Sequence, residues 1–543
     1  MTLYTQAPKS VTWPEPLETT WQLLGGEPAR ELAPKLPHLA MSDILFMCTV
    51  MLLPRVERPW GIVTWMAEVF CLSRPALYAL TERVRSRLLG NPEATTCLPL
   101  PLPEKVIEVT ENRLIRTVLT GSLPGKTAIR PLRHILEEAF DQTRSIGWIS
   151  ELLTEAGQKA GTILNQVDLS ALGTVIVLRD ELFFHGQPLL LVVDPISSTI
   201  LLAVVCDDRQ SETWGAALLM TEERGVTIGG IVEDMAKMYT KSLKEAELEA
   251  VDIQKDIWHV ERDGGKLLRK LERAALKATT QVVELEKALL QQWDETCFIE
   301  KYIPAVAQEE YLYEQHAVFE ACLSHLADGL ELVDVRSGEI RDRAINEWLL
   351  NETLQLMDTI DHKDVQKWVR TLRRHQKQLL TALDWLETAL QPYRQQLADL
   401  MSPQDQEVFM RLVARHWRLQ KALINGHTSF RFQAQEAEAD LQSLLAHDDQ
   451  WQQMAESLQT ILDGACRASS LIENINGLLR AFLHAHKAYS SAKTLQLYLN
   501  LFVLWHNMRV YERGKRQGKS PYQWAGIDVG TDDWLTLLGY PAG

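Results

Sequence analysis

The chain has 543 residues, of which 46% are hydrophobic and 24% charged, and its formal net charge is −16. This is the composition of an ordinary globular protein, which excludes disordered and fibrous classes, and the length corresponds to about three or four domains. Seven cysteines without a Cys-x-x-Cys pair argue against a disulfide framework or a zinc finger and favour a reduced, cytoplasmic compartment.

No apolar run approaches the roughly 18 residues of a membrane span, since the longest, Ile44–Leu53 and Leu495–Trp505, are typical of buried helices. The N-terminal residues also lack the charged and apolar regions of a secretory signal. The negative charge disfavours nucleic-acid binding. However, roughly the first 170 residues are near neutral and the last 80 are net positive, so the acidic middle of the chain does not exclude DNA.

After a proline-spotted extension (residues 1–39), residues 40–90 have helical periodicity. A helix containing MSDILFMCTVMLL precedes a helix over Gly61–Phe70, a turn at Cys71–Leu72 and a third helix capped by Ser73. This spacing is typical of a helix-turn-helix DNA-binding module, although a plain helical hairpin fits it equally well. The basic residues that would contact phosphates or bases are Arg74, Arg83, Arg85 and Arg87.

A proline-rich linker (residues 91–109) leads to a second helical module, residues 110–165. We expect helices near Arg113–Leu119, Thr127–Phe140 and Ser145–Ala156. Because the last begins at a capping serine, it is a second candidate recognition helix, with Arg144 as a DNA contact.

From residue 172 the pattern changes to apolar, β-branched runs separated by HG and PISS turns. They predict three antiparallel strands, then the helix Ser211–Met220, a strand, the helix Met235–Ala246 and a short strand. This order predicts an α/β fold, the mixed sheet of an RNase H-like core. In that core Asp180 would end the first strand and Asp234 the fourth, side by side, where they can hold divalent metal.

The core is predicted in two parts, residues 166–262 and 461–527, followed by a tail, residues 528–543. Between the parts lies an all-helical insertion, residues 263–460, because apolar residues recur there at three- and four-residue steps. One of its helices carries a basic cluster that is better interpreted as a solvated face than as a phosphate contact: Lys363, Lys367, Arg370, Arg373, Arg374 and Lys377.

The second part of the core begins with a helix capped by Ser469 or Ser470. Glu473 lies in its first turn, and Arg480 follows seven residues later on the same face. A glutamate at this position is often only a partner of the helix dipole.

Four segments together resemble DDE-type transposases of the bacterial insertion-sequence kind. They are DELFFHGQPLLLVVDPISSTI, the segment VED that ends at Asp234, DIWHV, and ENINGLLR with the later NLFVLWHNMRVYERGKRQGKSPYQWAGI. The resemblance covers about residues 113–527. It implies a catalytic triad of Asp180, Asp234 and Glu473, with Arg480 as the basic residue after the glutamate. Asp256 and His259 match the family's D-x-x-H signature near the active site.

The resemblance implies a transposase that binds element ends and performs DNA transposition, a form of recombination, on double-stranded DNA in the bacterial cytoplasm, associated with the nucleoid. It also implies a homodimer, whereas the missing phosphate-binding loop predicts no nucleotide cofactor. The C-terminal residues Arg513, Lys515 and Arg516 would contact DNA. The long gap before Glu473 resembles the subgroups that carry a helical insertion.

Carboxylates suit this chemistry because two Mg²⁺ ions, for which Mn²⁺ can substitute, must clamp the attacking and leaving oxygens of a phosphodiester displacement. We expect Asp180 to bridge both ions, with Asp234 on one and Glu473 on the other. The same site would release a 3′-hydroxyl and direct it at target DNA, without a covalent protein–DNA intermediate.

Other interpretations of these acids remain open. Glu181 or Asp194 could replace Asp180 as the ligand, and Asp234 could only cap the following helix. Asp256 and His259 could be a satisfied core pair.

Three further features are weaker. Trp293 could stack on a flipped base but is more typical of a core residue. Cys322 and His325 are too few to hold a metal. Neither a phosphate-binding loop nor a serine nucleophile elbow is present.

The second functional hypothesis is a repurposed, catalytically inactive DNA-binding descendant of a transposase. A third is a nuclease on the same core, which would cut but not join strands. Intact acids at all three positions favour the transposase.

Overall fold

The computed structural model describes residues 41–53, 58, 61–89, 109–446, 449–487 and 489–542. The predicted N-terminal extension and proline-rich linker therefore lie outside the described residues, apart from residue 109. The chain divides into two compact units, residues 1–107 and 108–543.

The first unit contains the helices α1 (Met41–Leu52), α2 (Ile62–Val69) and α3 (Arg74–Leu89), which confirms the predicted elements. Helix α3 begins as expected at Ser73, whose hydroxyl accepts a hydrogen bond from the Ala76 N–H. Buried methionine, leucine and phenylalanine side chains from all three helices form one small core. The unit is therefore held by the apolar face of each helix.

The second unit is a mixed α/β structure. Its first elements are α4 (Glu111–Ser122), α5 (Ile129–Phe140), α6 (Ile146–Gln166), β1 (Thr174–Phe184), β2 (Gln187–Val193), β3 (Ile200–Val205), α7 (Ser211–Glu222), β4 (Thr227–Glu233), α8 (Lys237–Glu245) and β5 (Asp252–Lys255).

The described strands form one five-stranded sheet in the order β3-β2-β1-β4-β5. Strands β1, β2 and β3 pair antiparallel, as predicted, whereas β4 lies parallel to both β1 and β5. The β1–β2 hairpin turns at His185 and Gly186, which have φ values of 49° and 82°. Two such residues are what a two-residue hairpin turn requires.

After β5 the described residues are predominantly helical up to residue 464. The helices are α9 (Ile257–Gln291), α10 (Ile303–Gly329), α11 (Arg343–Asp358), α12 (Lys363–Leu379), α13 (Thr381–Ala398), α14 (Pro403–Ile424), α15 (Arg431–Leu445) and α16 (Asp449–Gly464). They enclose their own hydrophobic core.

The chain then returns to the sheet through α17 (Ser470–His486), α18 (Ala492–Met508) and the short helices α19 (Pro521–Trp524) and α20 (Trp534–Leu537). Their buried residues share one core with the sheet and with α4, α5 and α6. The sheet is therefore completed by segments from both sides of the helical region.

The helical region covers the edge strand β5. The Gln254 side chain donates to the Leu379 carbonyl at 3.0 Å and accepts from the Ala382 N–H at 2.7 Å, and the Thr381 hydroxyl donates to the Ile253 carbonyl. An uncovered edge would expose unpaired backbone groups. This contact fixes the helical region beside the carboxyl ends of the parallel strands.

Among the described residues, no helix has both the length and the apolar character needed to cross a membrane.

Candidate active site

Three aspartates lie in a row where the parallel strands β1, β4 and β5 stop pairing. Leu178 pairs with Val232, so Asp180 and Asp234 are each two residues beyond the last paired position. Glu233 pairs with Lys255, which places Asp256 beside Asp234. Because parallel strands share one direction, these carboxylates meet at one edge of the sheet.

The prediction that Asp180 ends the first strand is wrong. Strand β1 continues to Phe184 because its second half pairs with β2 after the pairing with β4 has ended. Asp234, in contrast, directly follows the last residue of β4, as expected.

Asp180 is half-buried and is held by two donors. The Asn476 amide donates to its Oδ2 at 2.8 Å, and the Glu181 backbone N–H donates to its Oδ1 at 2.9 Å. Burial, followed by the negative charges of Glu473 and Glu181, raises the pKa of Asp180 to about 7. The negative charge of Glu473 therefore contributes to the raised pKa of Asp180.

Asp234 is also half-buried, and its Oδ1 accepts a hydrogen bond from the Ala236 N–H at 2.7 Å. The residue that caps α8 is Ala236, without a side-chain bond, so Asp234 orders the preceding turn and does not cap the helix itself. Burial is the main reason that the pKa of Asp234 is raised.

Glu473 lies in the first turn of α17, as predicted. The Ser469 hydroxyl, which was expected to cap this helix, donates instead to Asp256, and the Ile257 N–H bonds the Arg467 carbonyl. Asn476 follows Glu473 by one turn and bonds Asp180, so this face of α17 is directed at the aspartate row.

Asp256 and the half-buried His259 form a hydrogen-bonded pair at the start of α9. Asp256 is fully buried, accepts from the Trp258 N–H as the helix cap, and lies 2.6 Å from His259 Nδ1. Burial lowers the pKa of His259, but the hydrogen bond and charge of Asp256 outweigh it, so the pKa is raised overall. The pair lies next to Asp234, whose charge acts on His259.

A cavity of about 480 Å³ opens beside Asp234 and His259. Helices α9 and α12 form its walls and contribute the basic residues Arg262, Lys266 and Lys367 together with the aromatic Trp368. The same walls also carry Asp263 and Asp364, and Arg262 and Lys266 both pair with Asp263, so the charges on this side of the candidate site are largely balanced.

A charged cluster beneath the row was not anticipated. Arg179, Glu233 and Lys255 have fully buried side chains. The carboxylate of Glu233 accepts from Arg179 Nε at 2.7 Å and from Lys255 Nζ at 2.5 Å. Lys255 also donates to the Asp234 carbonyl at 3.0 Å.

The signal for this cluster was present in the sequence, since each member immediately precedes one of the three aspartates. Successive side chains of a strand point to opposite faces. Two consecutive charged residues stand at the end of the paired region of each of these three strands. The three aspartates therefore lie on one face of the sheet, and Arg179, Glu233 and Lys255 lie on the other.

The two alternatives to Asp180 have other partners. Glu181 accepts from the Tyr239 hydroxyl and pairs with Arg209. Asp194 is buried in the β2–β3 turn, where its Oδ2 accepts from the Ser197 N–H at 2.8 Å.

Among the described residues, no three or more His, Cys, Asp or Glu side chains are gathered closely enough to hold a metal ion. Cys322 is buried in the helical core whereas His325 is exposed. The ligand atoms that Asp180, Asp234 and Glu473 would offer nevertheless fit a hard cation, because they are all carboxylate oxygens. Buried Asn476 Oδ1 has no hydrogen-bond partner in the described structure and adds a further oxygen.

The predicted DNA contacts of the first unit lie on α3. Arg74 donates to Thr64 Oγ1, and Arg83 donates to the Ala79 carbonyl. Arg85 and Arg87 lie in the same helix, but their side chains are outside the described part of the structure.

In the second unit, Arg144 pairs with Glu111 and lies over the Trp148 ring. Lys515 pairs with Asp463, and Arg516 donates to the Pro195 and Ile196 carbonyls. Both residues therefore hold the C-terminal loop in place. Arg480 and Arg513 are exposed.

Trp293 is 66% exposed and contacts Phe298 beyond the end of α9, so it is not the core residue that the sequence favoured.

No family model matches the chain, and no curated protein is detectably similar to it.

Proposed function

We propose that this protein is a DDE-type transposase, a metal-dependent enzyme that cuts and joins double-stranded DNA. The observation that carries the proposal is the position of three carboxylates. Asp180 and Asp234 occupy matching positions on neighbouring parallel strands, and Glu473 lies on the helix face that bonds Asp180 through Asn476.

The fold supports an RNase H-like catalytic core. Three antiparallel strands are followed by two parallel ones in the order β3-β2-β1-β4-β5, with α7 and α8 as the connections. The helical region then separates β5 from α17, as in the transposases that the sequence resembles.

In this proposal Asp180, Asp234 and Glu473 hold two Mg²⁺ ions. When bound, the ions supply Lewis-acid activation of the attacking oxygen and neutralise charge on the scissile phosphate. Asn476 keeps the Asp180 carboxylate oriented, and Asp256 keeps the His259 ring oriented. Of the basic residues in the adjacent cavity, Lys367 would contact a phosphate, since Arg262 and Lys266 already pair with Asp263.

The test replaces each acid by its amide, as Asp180→Asn, Asp234→Asn and Glu473→Gln. Each variant is expected to lose cleavage by at least about a hundredfold, because loss of one charged ligand removes transition-state stabilisation worth several kcal/mol. Labelled duplexes from the DNA that flanks the coding sequence serve as substrate with Mg²⁺ or Mn²⁺. Gel-shift binding is expected to survive.

The matched control is Asp252→Asn, an exposed acid at the start of β5, which is expected to cleave like the parent. Cleavage by any of the three amide variants at the parent's rate would remove that residue from the site.

The second candidate is a DNA-binding protein without catalysis. It is favoured by the lack of a gathered metal-ligand set among the described residues. A parent chain that binds the flanking duplexes but cuts none of them with either metal would support this candidate and overturn the first.

A further inference from the structure

The return segment, residues 465–469, carries the chain from the end of α16 to the start of α17. Ala465 is buried in the core of the helical region, whereas Ile472, in the first turn of α17, is buried in the core of the sheet. Glu473 directly follows Ile472. The conformation of the return segment therefore decides where the Glu473 carboxylate lies.

Hydrogen bonds hold the end of the return segment against the start of α9. The Ile257 N–H donates to the Arg467 carbonyl at 3.1 Å. The Ser469 hydroxyl donates to the buried Asp256 carboxylate, and the Ser469 carbonyl accepts from the Glu473 N–H at 3.2 Å. The backbone of Glu473 is therefore linked to Asp256 through a single residue.

The Arg467 side chain ties the same segment to the end of α10. Its Nη1 donates to the Leu330 carbonyl, and its Nη2 donates to Glu331 Oε2 at 2.9 Å. Both acceptors lie directly after α10. Because a guanidinium carries its donors in one rigid plane, these bonds fix the direction of the return segment as well as its distance from the helical region.

Glu331 has a second partner, which lies outside the return segment. Arg418 of α14 donates to Glu331 Oε1 at 2.7 Å, and the Arg418 and Arg467 side chains are 19% and 18% exposed. Burial, followed by the charge of Glu331, raises the pKa of Glu261 in α9, and both arginines oppose that rise. The two arginines therefore share one carboxylate and one environment, but only Arg467 belongs to the return segment.

We propose that Arg467 is a positioning residue for Glu473, through which the helical region holds the start of α17 beside the aspartate row. The inference rests on the proposed function, in which Glu473 is a metal ligand. A ligand binds its metal more tightly when the residues behind it hold it in place beforehand. Loss of Arg467 would release the start of α17, whereas loss of Arg418 would affect only the helical region.

The first test measures amide hydrogen exchange in the full chain by mass spectrometry. Arg467→Gln is expected to speed exchange in the first two turns of α17 at least about tenfold, because the segment before them is released. Exchange in α18, which packs in the same core, is expected to stay within about twofold of the parent. The matched control, Arg418→Gln, is expected to leave the start of α17 as it is in the parent.

The second test measures Mn²⁺ binding by titration, with the free ion detected by electron paramagnetic resonance. Arg467→Gln is expected to weaken binding at least about tenfold, as the loss of a residue behind a metal ligand typically does. Arg418→Gln is expected to bind Mn²⁺ as the parent does.

Arg467→Lys keeps the positive charge but lacks the planar fork of donors. It is therefore expected to weaken Mn²⁺ binding by about threefold, between the parent and Arg467→Gln. This variant decides the test if Arg467→Gln does not fold.

Parent-like Mn²⁺ binding by the Arg467 variants would overturn the proposal. Equal exchange at the start of α17 in the Arg467→Gln and Arg418→Gln variants would also overturn it. A parent that binds no Mn²⁺ would instead overturn the proposed metal site, and the exchange measurement would then decide by itself whether Arg467 places α17.

Discussion

At the scale of single residues, the chain places two charged layers at the same strand ends. Asp180, Asp234 and Asp256 form the upper layer, and the residue before each of them forms the buried layer. Arg179 also donates to Ser242 Oγ at 2.7 Å and lies over the Tyr239 ring. The buried layer therefore anchors the backbone that carries the aspartates.

Glu233→Gln tests this anchor. It leaves two buried cations facing a neutral amide, and removing one partner of a buried ion pair is expected to lower the free energy of unfolding by about 3–5 kcal/mol. The measurement is urea denaturation. The control, Glu387→Gln, loses an exposed partner of Arg394 and is expected to cost less than about 1 kcal/mol. Equal losses would show that the cluster contributes no anchoring.

His506 predicts a dependence of stability on pH. Its Nε2 lies 2.9 Å from the Ser198 carbonyl, and its buried Nδ1 has no hydrogen-bond partner in the described structure. Burial, followed by the charge of Arg509, lowers the pKa of His506 to about 3. The folded protein therefore holds a neutral ring where the unfolded chain binds a proton below about pH 6.5.

Stability from this residue is complete above about pH 6.5 and falls by about 1.4 kcal/mol per pH unit as the pH drops toward 3. The His506→Gln variant keeps an amide donor for Ser198 but cannot titrate. Between pH 7 and pH 5 the parent is expected to lose about 2 kcal/mol more than this variant in urea denaturation. The exposed His325→Gln variant is the control, and an equal loss in all three proteins would contradict the prediction.

At the scale of elements, close helix packing sets the position of α18 beneath the sheet. A Cβ on Gly157 of α6 would overlap the Leu497 carbonyl of α18, and one on Gly161 would overlap the Asn500 side chain. Two glycines four residues apart on one helix face therefore allow the backbones to meet. The sequence analysis predicted that α6 ends near Ala156, before either glycine, whereas the helix continues to Gln166, so it did not anticipate this contact.

Gly157→Ala is expected to lower the free energy of unfolding by about 1–3 kcal/mol, because the two helices must separate. Gly477→Ala is the matched control, since a Cβ there meets no atom within 4 Å. Alanine at that helical position is expected to stabilise by about 0.5–1 kcal/mol. Thermal unfolding distinguishes the two, and a stabilised Gly157→Ala variant would contradict the packing argument.

The elements themselves were largely predictable, because each depends on a local pattern. The two-residue turn at His185 and Gly186 marks the first hairpin, and the serine before α3 marks its start. The end of β1 was not predictable in the same way. Its length is set by pairing with β2, which is a contact between segments and leaves no local signal beside Asp180.

At the scale of the whole molecule, the fold consists of a small helical unit and a larger unit with two main hydrophobic cores. The chain leaves the sheet after β5, builds the helical core and returns at α17. Ser469 and Arg467 tie this return to Asp256 and Ile257. The ends of the helical region thus meet beside the aspartate row.

The sequence by itself determined the order of helices and strands and the helical region between β5 and α17, because periodicity and turn residues act over a few neighbours. The triad of Asp180, Asp234 and Glu473 was implied by the resemblance to DDE-type transposases and stays a prediction. Only the tertiary structure decided that the charge of Glu473 raises the pKa of Asp180 and that Asn476 donates a hydrogen bond to Asp180. It also decided that Arg179, Glu233 and Lys255 lie buried together. Those relations join residues tens to hundreds of positions apart, and strand register and helix packing alone bring them into contact.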